Sequence, residues 1–328
     1  MVKLLDTDLR SFGLIGFQKP WLDYHKTEKG EIARKILYAC QKLMVNCCAI
    51  TSEDSQMLPC YPEDRFGSLA SIFEIMKESG EVDFTRGFSR DGHAMRIKYF
   101  LGGKYEIREL TLINSETINA PEGQDWKGIK VHVVGGNCLP KGLSLEETLS
   151  ACKEKGLITF LLNSGVSQDS MKLAEEYHGK YNGLVVHDAN NCLPNWIRGI
   201  KKLDQALGKY VQAVNDQTHE LAERLKVPGI AVSSSHFLHE IGRAGIEVKD
   251  NAFKGVDNGI QVLERVRHIL EDPIKKPIKL VREHNGLWDL FKLKHFLNKY
   301  GGIEGRFSKE LSSYNTKQNQ ESEQVHPQ

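Results

Sequence analysis

Apolar and polar positions along this chain follow two rhythms, one of period two and one with the spacing of a helix. FGLIGF (12–17) and VNCCAIT (45–51) are short apolar runs that predict strands. Between them, EKGEIARKILYACQKL (28–43) repeats apolar residues at helical spacing, with Ile32, Ile36, Leu37 and Leu43 on one broad face. SLASIFEIMKES (68–79) predicts another helix. MRIKYFL (95–101) and YEIRELTLI (105–113) predict a hairpin about Gly102 and Gly103, and IKVHVVGG (129–136) a further strand. From there the rhythm becomes regular. SLEETLSACKEKG (144–156) opens with a capping box, Ser144 to Glu147, and closes on Gly156. LITFLLN (157–163) is a buried strand, SQDSMKLAEEYHGK (167–180) a helix and GLVVHDAN (183–190) a strand. Residues 196–227 hold one or two helices, PGIAVSSSH (228–236) a strand, and DNGIQVLERVRHILED (257–272) a helix. Repeated strand–helix units predict parallel strands with helices outside, hence a barrel or a doubly wound sheet.

Past Pro273 the pattern changes. Residues 273–312 are basic and aromatic and predict a helical extension packed on or beside a domain spanning 1–272. A second reading makes 275–309 a nucleic-acid surface. Residues 313–328 lack the apolar content a core needs and are expected to be disordered.

Composition narrows the function classes. With 328 residues and a formal net charge of +1, the chain has room for one large α/β domain and lacks the basic balance of a dedicated nucleic-acid binder. Seven cysteines are scattered without a C-x-x-C pair, which predicts reduced thiols in a cytoplasmic protein and no thiolate zinc site. The N-terminal stretch is too polar for a leader, and no apolar run is long enough to span a membrane. The glycines make neither G-x-G-x-x-G nor a P-loop, so no nucleotide cofactor is expected.

In parallel α/β folds ligands gather at the carboxyl ends of strands. Those ends carry Gln18 and Lys19, then Ser52, Glu53 and Asp54, then Ser115 and Glu116. His132 and Asn137 follow, then Asn163 and Ser164, His187 and Asp188, and three serines before His236. Histidines and carboxylates converging from separate strands are the layout of a metal centre. Each residue also has a plainer role. His132 suits a half-buried structural histidine, Glu53 and Asp54 suit a helix cap, and His187 and Asp188 suit a local hydrogen-bonded pair.

The order of these strands and residues resembles the polymerase-and-histidinol-phosphatase (PHP) superfamily of metal-dependent phosphoesterases. The best stretch runs from Gly135 to Val248. GGNCLPKGLSLEETLSACKEKGLITFLLNSG resembles the family's loop, helix and strand ending in His-Pro, and VPGIAVSSSHFLHEIGRAG resembles its closing strand with Asp-x-His. The resemblance covers roughly residues 10–270. It implies a distorted (β/α)7 TIM-like barrel with the basic helical extension appended.

The resemblance also implies a ligand set, most of which is substituted. Gly16 and Gln18 stand where the family has His-x-His. Ser52 and Glu53 follow Thr51 where it has Asp-His, Asn163 replaces the His of His-Pro, and Ser234 replaces the Asp of Asp-x-His. Glu116 and His236 keep ligand-type residues. Such enzymes hold ions about 3.5–4 Å apart, each needing several donors. Glycine offers none, and neutral Ser, Gln or Asn oxygens are weak ligands. The expected function is therefore a degenerate barrel that works as a binding or scaffold protein, with a phosphorylated small molecule or a protein as partner. The alternative is a divergent phosphoesterase with at most one Mn, Zn or Fe ion. It would be held by Glu116, His236, Asp188 or His132, with Glu53 as base and Lys19, Lys141 or Arg243 against the phosphate.

Overall fold

The computed structural model describes residues 2–10, 45–53, 82–83, 93–99, 108–119, 129–136, 142–188, 209–233, 244–249, 252–270 and 280–282, with Leu37, Cys40 and Leu139. The strands are β1 (Val2–Arg10), β2 (Val45–Glu53), β3 (Val82–Asp83), β4 (Ala94–Tyr99), β5 (Arg108–Asn119) and β6 (Lys130–Val134). After α1 (Leu145–Glu154) come β7 (Ile158–Leu162), α2 (Gln168–Glu176), β8 (Gly183–Asp188) and α3 (Lys209–Leu225). The described chain ends with β9 (Gly229–Val232), β10 (Ala244–Lys249), α4 (Gly259–Leu270) and β11 (Leu280–Arg282).

One mixed sheet carries them in the order β11-β10-β1-β2-β5-β6-β7-β8-β9, with the β3–β4 hairpin beside β5. Its inner-face residues form one cluster drawn from both ends. Ile230 and Val232 of β9 share it with Ile246 and Val248 of β10, and with Cys47, Ile113, Phe160 and Val185 between them. A flat sheet cannot bring its two ends to one core, so the sheet is curled, as a distorted barrel requires. On the outer face, α1, α2 and α3 set Leu149, Cys152, Ala174 and Leu221 against Val131, Val133, Leu161 and Val186. Val262, Leu263 and Val266 of α4 belong instead to the inner cluster. Gly135 (φ +102°) passes so close to Leu263 that a Cβ there would lie 2.4 Å from its Cδ1. Since Gly135 directly follows β6, whose last residue pairs with the first of β7, α4 closes the amino-terminal end of the parallel strands.

Several sequence-based elements are present. The 144–156 helix has its capping box: Ser144 Oγ accepts from the Glu147 N–H, and Glu147 Oε2 accepts from the Ser144 N–H at 2.8 Å. The expected hairpin is β4 and β5, antiparallel from Ala94↔Ile113 to Tyr99↔Arg108. Three readings need correction. The strands are not all parallel, because β6 runs antiparallel to both β5 and β7. The link from Asn119 to Lys130 is shorter than the dozen or so residues a parallel crossover needs, and α1 then joins two antiparallel strands. The sequence pattern gives no strand after PGIAVSSSH, yet Ala244–Lys249 forms β10. Within the expected helical extension, Leu280–Arg282 is a strand paired with β10. The rest of that extension, and the strand expected at 12–17, lie outside the described residues. The first strand is Val2–Arg10, parallel to β2 across two register shifts.

Phe160 is fully buried at the middle of the inner cluster. Phe160→Ala is expected to lower unfolding free energy by about 3–5 kcal/mol, read from denaturant melts at unchanged m-value.

Candidate functional site

One edge of β5 is shared by two partners in turn. β4 pairs with residues 108–113 and β6 with residues 115–119. At the junction, the Asn114 N–H donates to the His93 carbonyl at 2.9 Å, and its carbonyl accepts from the Gly135 N–H at 2.7 Å. His93 Nδ1 lies 2.5 Å from the Gly135 carbonyl oxygen. These contacts pin the register that decides which face each β5 side chain takes.

Toward the carboxyl rim, the inner face is lined by hydroxyls and a histidine. Thr117 pairs with His132, and Thr117 Oγ1 lies 3.3 Å from His132 Nδ1. The buried His132 ring stacks on Phe160, with centroids 6.3 Å apart and planes at 29°. One rung deeper, Thr51 Oγ1 donates to Ser115 Oγ at 3.3 Å, and Ser115 Oγ donates to the Val133 carbonyl at 2.7 Å. All four polar side chains are buried. Glu53 stands at the register position opposite Thr117, so Glu53, Thr117 and His132 occupy neighbouring positions on one rung.

Glu116 lies on the other side of the sheet. It pairs with Val133 and shares the parity of Ile118, and both of those belong to the helix-facing cluster. Its charge is felt by Cys152 of α1, in the same cluster: burial first, and Glu116 second, push the thiol up to about 12, while Lys155 acts in the opposite sense. Glu116 and His132 are one position out of phase on paired strands, and the pleat separates them. They do not meet in one pocket.

Asp188 closes β8 and is buried, at the register position of Val232. A register shift between Val185 and His187 precedes it. Its N–H donates to Asn215 Oδ1 of α3 at 3.4 Å. Asn163, at the position the resemblance gives to histidine, has φ +60°, a left-handed conformation that asparagine adopts more readily than most residues. Next to it Ser164 is fully buried, and its Oγ finds no hydrogen-bond partner among the described residues. Ser52 is placed opposite Glu116 by its backbone. Gly16, Gln18, Lys19, Lys141, Ser234, His236 and Arg243 lie outside the described residues, as do the side chains of Ser52 and Glu53. Among the described residues no group of three His, Cys, Asp or Glu is placed to hold a metal ion. No helix among them is long and apolar enough to cross a membrane.

The pattern of polar strand ends does not single out Thr117, Phe160, Asn215 or Thr218. A period-two count along RELTLINSETIN carries part of the signal. It puts Thr111, Ile113, Ser115 and Thr117 on one face, and Leu112, Asn114, Glu116 and Ile118 on the other.

No family model matches the chain, and no curated protein matches it. Among solved structures it is similar to PsfC from Pseudomonas syringae, 13% identical, over 76% of this chain and 82% of that one, with a TM-score of 0.39. It is also similar to a candidate metal-dependent phosphoesterase from Bifidobacterium adolescentis, 11% identical, over 71% of this chain and 90% of that one, with a TM-score of 0.34.

The Cys152 thiol yields a test of this geometry. Its proton is held more tightly in the folded state than in the unfolded chain, where the ordinary value is 9.0. The thiol therefore contributes stability that is complete below pH 9 and declines as pH rises from 9 toward 12. Glu116→Gln removes the nearby negative charge, so the Cys152 midpoint should fall, as read from the Cys152 Cβ chemical shift across alkaline pH. An unchanged midpoint would place the carboxylate away from α1.

Proposed function

We propose that this protein is a PHP-like barrel whose phosphoesterase site is largely lost and which works as a binding or scaffold protein. The observation that carries this reading is the direction of Glu116. It is one of two ligand-type residues left among the positions the resemblance singles out, and its carboxylate sits in the layer between the sheet and α1, with Val133, Ile118 and Cys152 as surroundings. A ligand on that side cannot share an ion with groups on the inner face. On β2, β5 and β6 the described inner-face polar side chains near the rim are Thr51, Ser115, Thr117 and the Thr117-linked His132. Hydroxyls and an imidazole hydrogen-bond a polar group well but bind divalent ions weakly without carboxylates beside them. The partner under this reading is a phosphorylated small molecule or a protein, met at the carboxyl rim.

A second reading, a divergent hydrolase with one metal, is favoured by a different observation. Asp188 is a buried carboxylate on the register of Val232, an inner-face residue, and Glu53 stands on the rung of His132. Joined by His236, these are the residues that would hold a divalent ion. Such an ion would activate water and polarise a phosphate ester. The protein's own part would be to hold the ester against Lys19, Lys141 or Arg243.

Metal analysis and turnover decide between the two. Purified protein should carry far less than one equivalent of Mn, Zn or Fe, and show no hydrolysis of a generic phosphodiester or phosphomonoester between about pH 6 and 9. His132→Ala and His236→Ala should then leave metal content unchanged. Stoichiometric metal that is lost with turnover in His236→Ala or Asp188→Asn would overturn the first reading in favour of the second.

A further inference from the structure

Strands β7 and β8 are joined by a short ladder. Their paired positions are Phe160↔Gly183 and Leu161↔Leu184, yet β8 runs on to Asp188. Beyond Leu161 no ladder sets how far the carboxyl end of β7 stands from that of β8. Side chains of α3 take its place. The Gly165 N–H, just past β7, donates to Thr218 Oγ1 at 2.9 Å, and that hydroxyl donates to the Val214 carbonyl at 2.7 Å. The Asp188 N–H donates to Asn215 Oδ1. Asn215 and Thr218 are both buried. The approach at Gly165 is close enough to exclude any side chain, since a Cβ there would sit 2.5 Å from the Val214 oxygen and 2.7 Å from the Thr218 nitrogen.

Asn215 and Thr218 stand three residues apart on α3, so they lie on one face of the helix and each can meet one of the two neighbouring strand ends.

We propose that Asn215 and Thr218 are positioning residues for the rim, together setting the separation of Asn163 and Asp188. Asn163 is held through Gly165, two residues on, and Asp188 through its own amide. Whatever the rim binds meets a gap between these two residues fixed from α3. The inference rests on the reading that the strand ends are the binding face, and it holds for either form of that reading.

Full-length ¹⁵N-labelled protein tests it. In Thr218→Val, which keeps the shape and removes the hydroxyl, the Gly165 amide should exchange about tenfold faster. The Asp188 amide resonance should move as well, and Thr218→Ser should restore both. Asn215→Leu should act from the other side, speeding exchange at Asp188 and displacing the Gly165 resonance. Thermal unfolding of each variant reports whether it folds, and the two sites serve as independent trials. If Thr218→Val alters Gly165 alone, or neither amide responds, the clasp is overturned, because a merely local bond would not reach the neighbouring strand. Metal content and turnover judge the proposed function, whereas these amides judge the clasp, so the two failures are separable.

Discussion

The constraint on which the structure depends is that the middle of its sheet, β5 to β8, is buried on both faces. Inside, Phe160, Ile113, Val232 and Ile246 share a core with α4; outside, Val133, Leu161 and Leu184 pack against α1, α2 and α3. A strand in this position cannot hide a polar residue by turning it toward solvent. Each one must find a partner within its own layer. Thr51, Ser115, Thr117 and His132 do so by hydrogen-bonding across strands, and Glu116 lies in the helix layer with the Cys152 thiol.

Two faces with different contents follow from one strand, β5. Its odd residues run Thr111, Ile113, Ser115, Thr117, and its even residues Leu112, Asn114, Glu116, Ile118. A residue list that ignores parity merges them into a single polar strand end. The chemistry attributed to that end then changes, because a carboxylate beside a histidine suggests a metal whereas hydroxyls beside a histidine suggest a hydrogen-bonded pocket. The pleat is what separates the two.

Much of the fold was legible in the sequence. The capping box at Ser144 and Glu147, the hairpin before Arg108–Asn119, and the strand and helix runs from Leu145 to Leu225 were readable because local chemistry and long periodic runs agree there. The direction of β6 was not. It depends on a link too short for a crossover on one side and a helix-bearing link on the other, and periodicity carries no sign for direction. Val2–Arg10 hid behind its alternating charges, and β10 behind the glycines and arginine that precede it. The candidate site was legible as a set of strand ends and illegible as a geometry: Asn163 and Asp188 stand at such ends, but that α3 holds their neighbourhood through Thr218 and Asn215 is a long-range fact.

The junction at Asn114 carries a consequence for how this surface can change. There β5 passes from β4 to β6, and His93, Asn114 and Gly135 tie three strands together through two backbone hydrogen bonds and the His93 ring. Inserting or deleting a single residue between Asn114 and Ser115 would turn the rest of the strand over, bringing the place of Glu116 to the inner face and sending Ser115 and Thr117 toward α1. A glutamate or a hydroxyl at this place on the inner face of β5 is thus a matter of one residue of chain length. Point substitutions at the rim leave that choice untouched, so an indel in β5 changes the lining of both faces at once, whereas a substitution changes one face at one position.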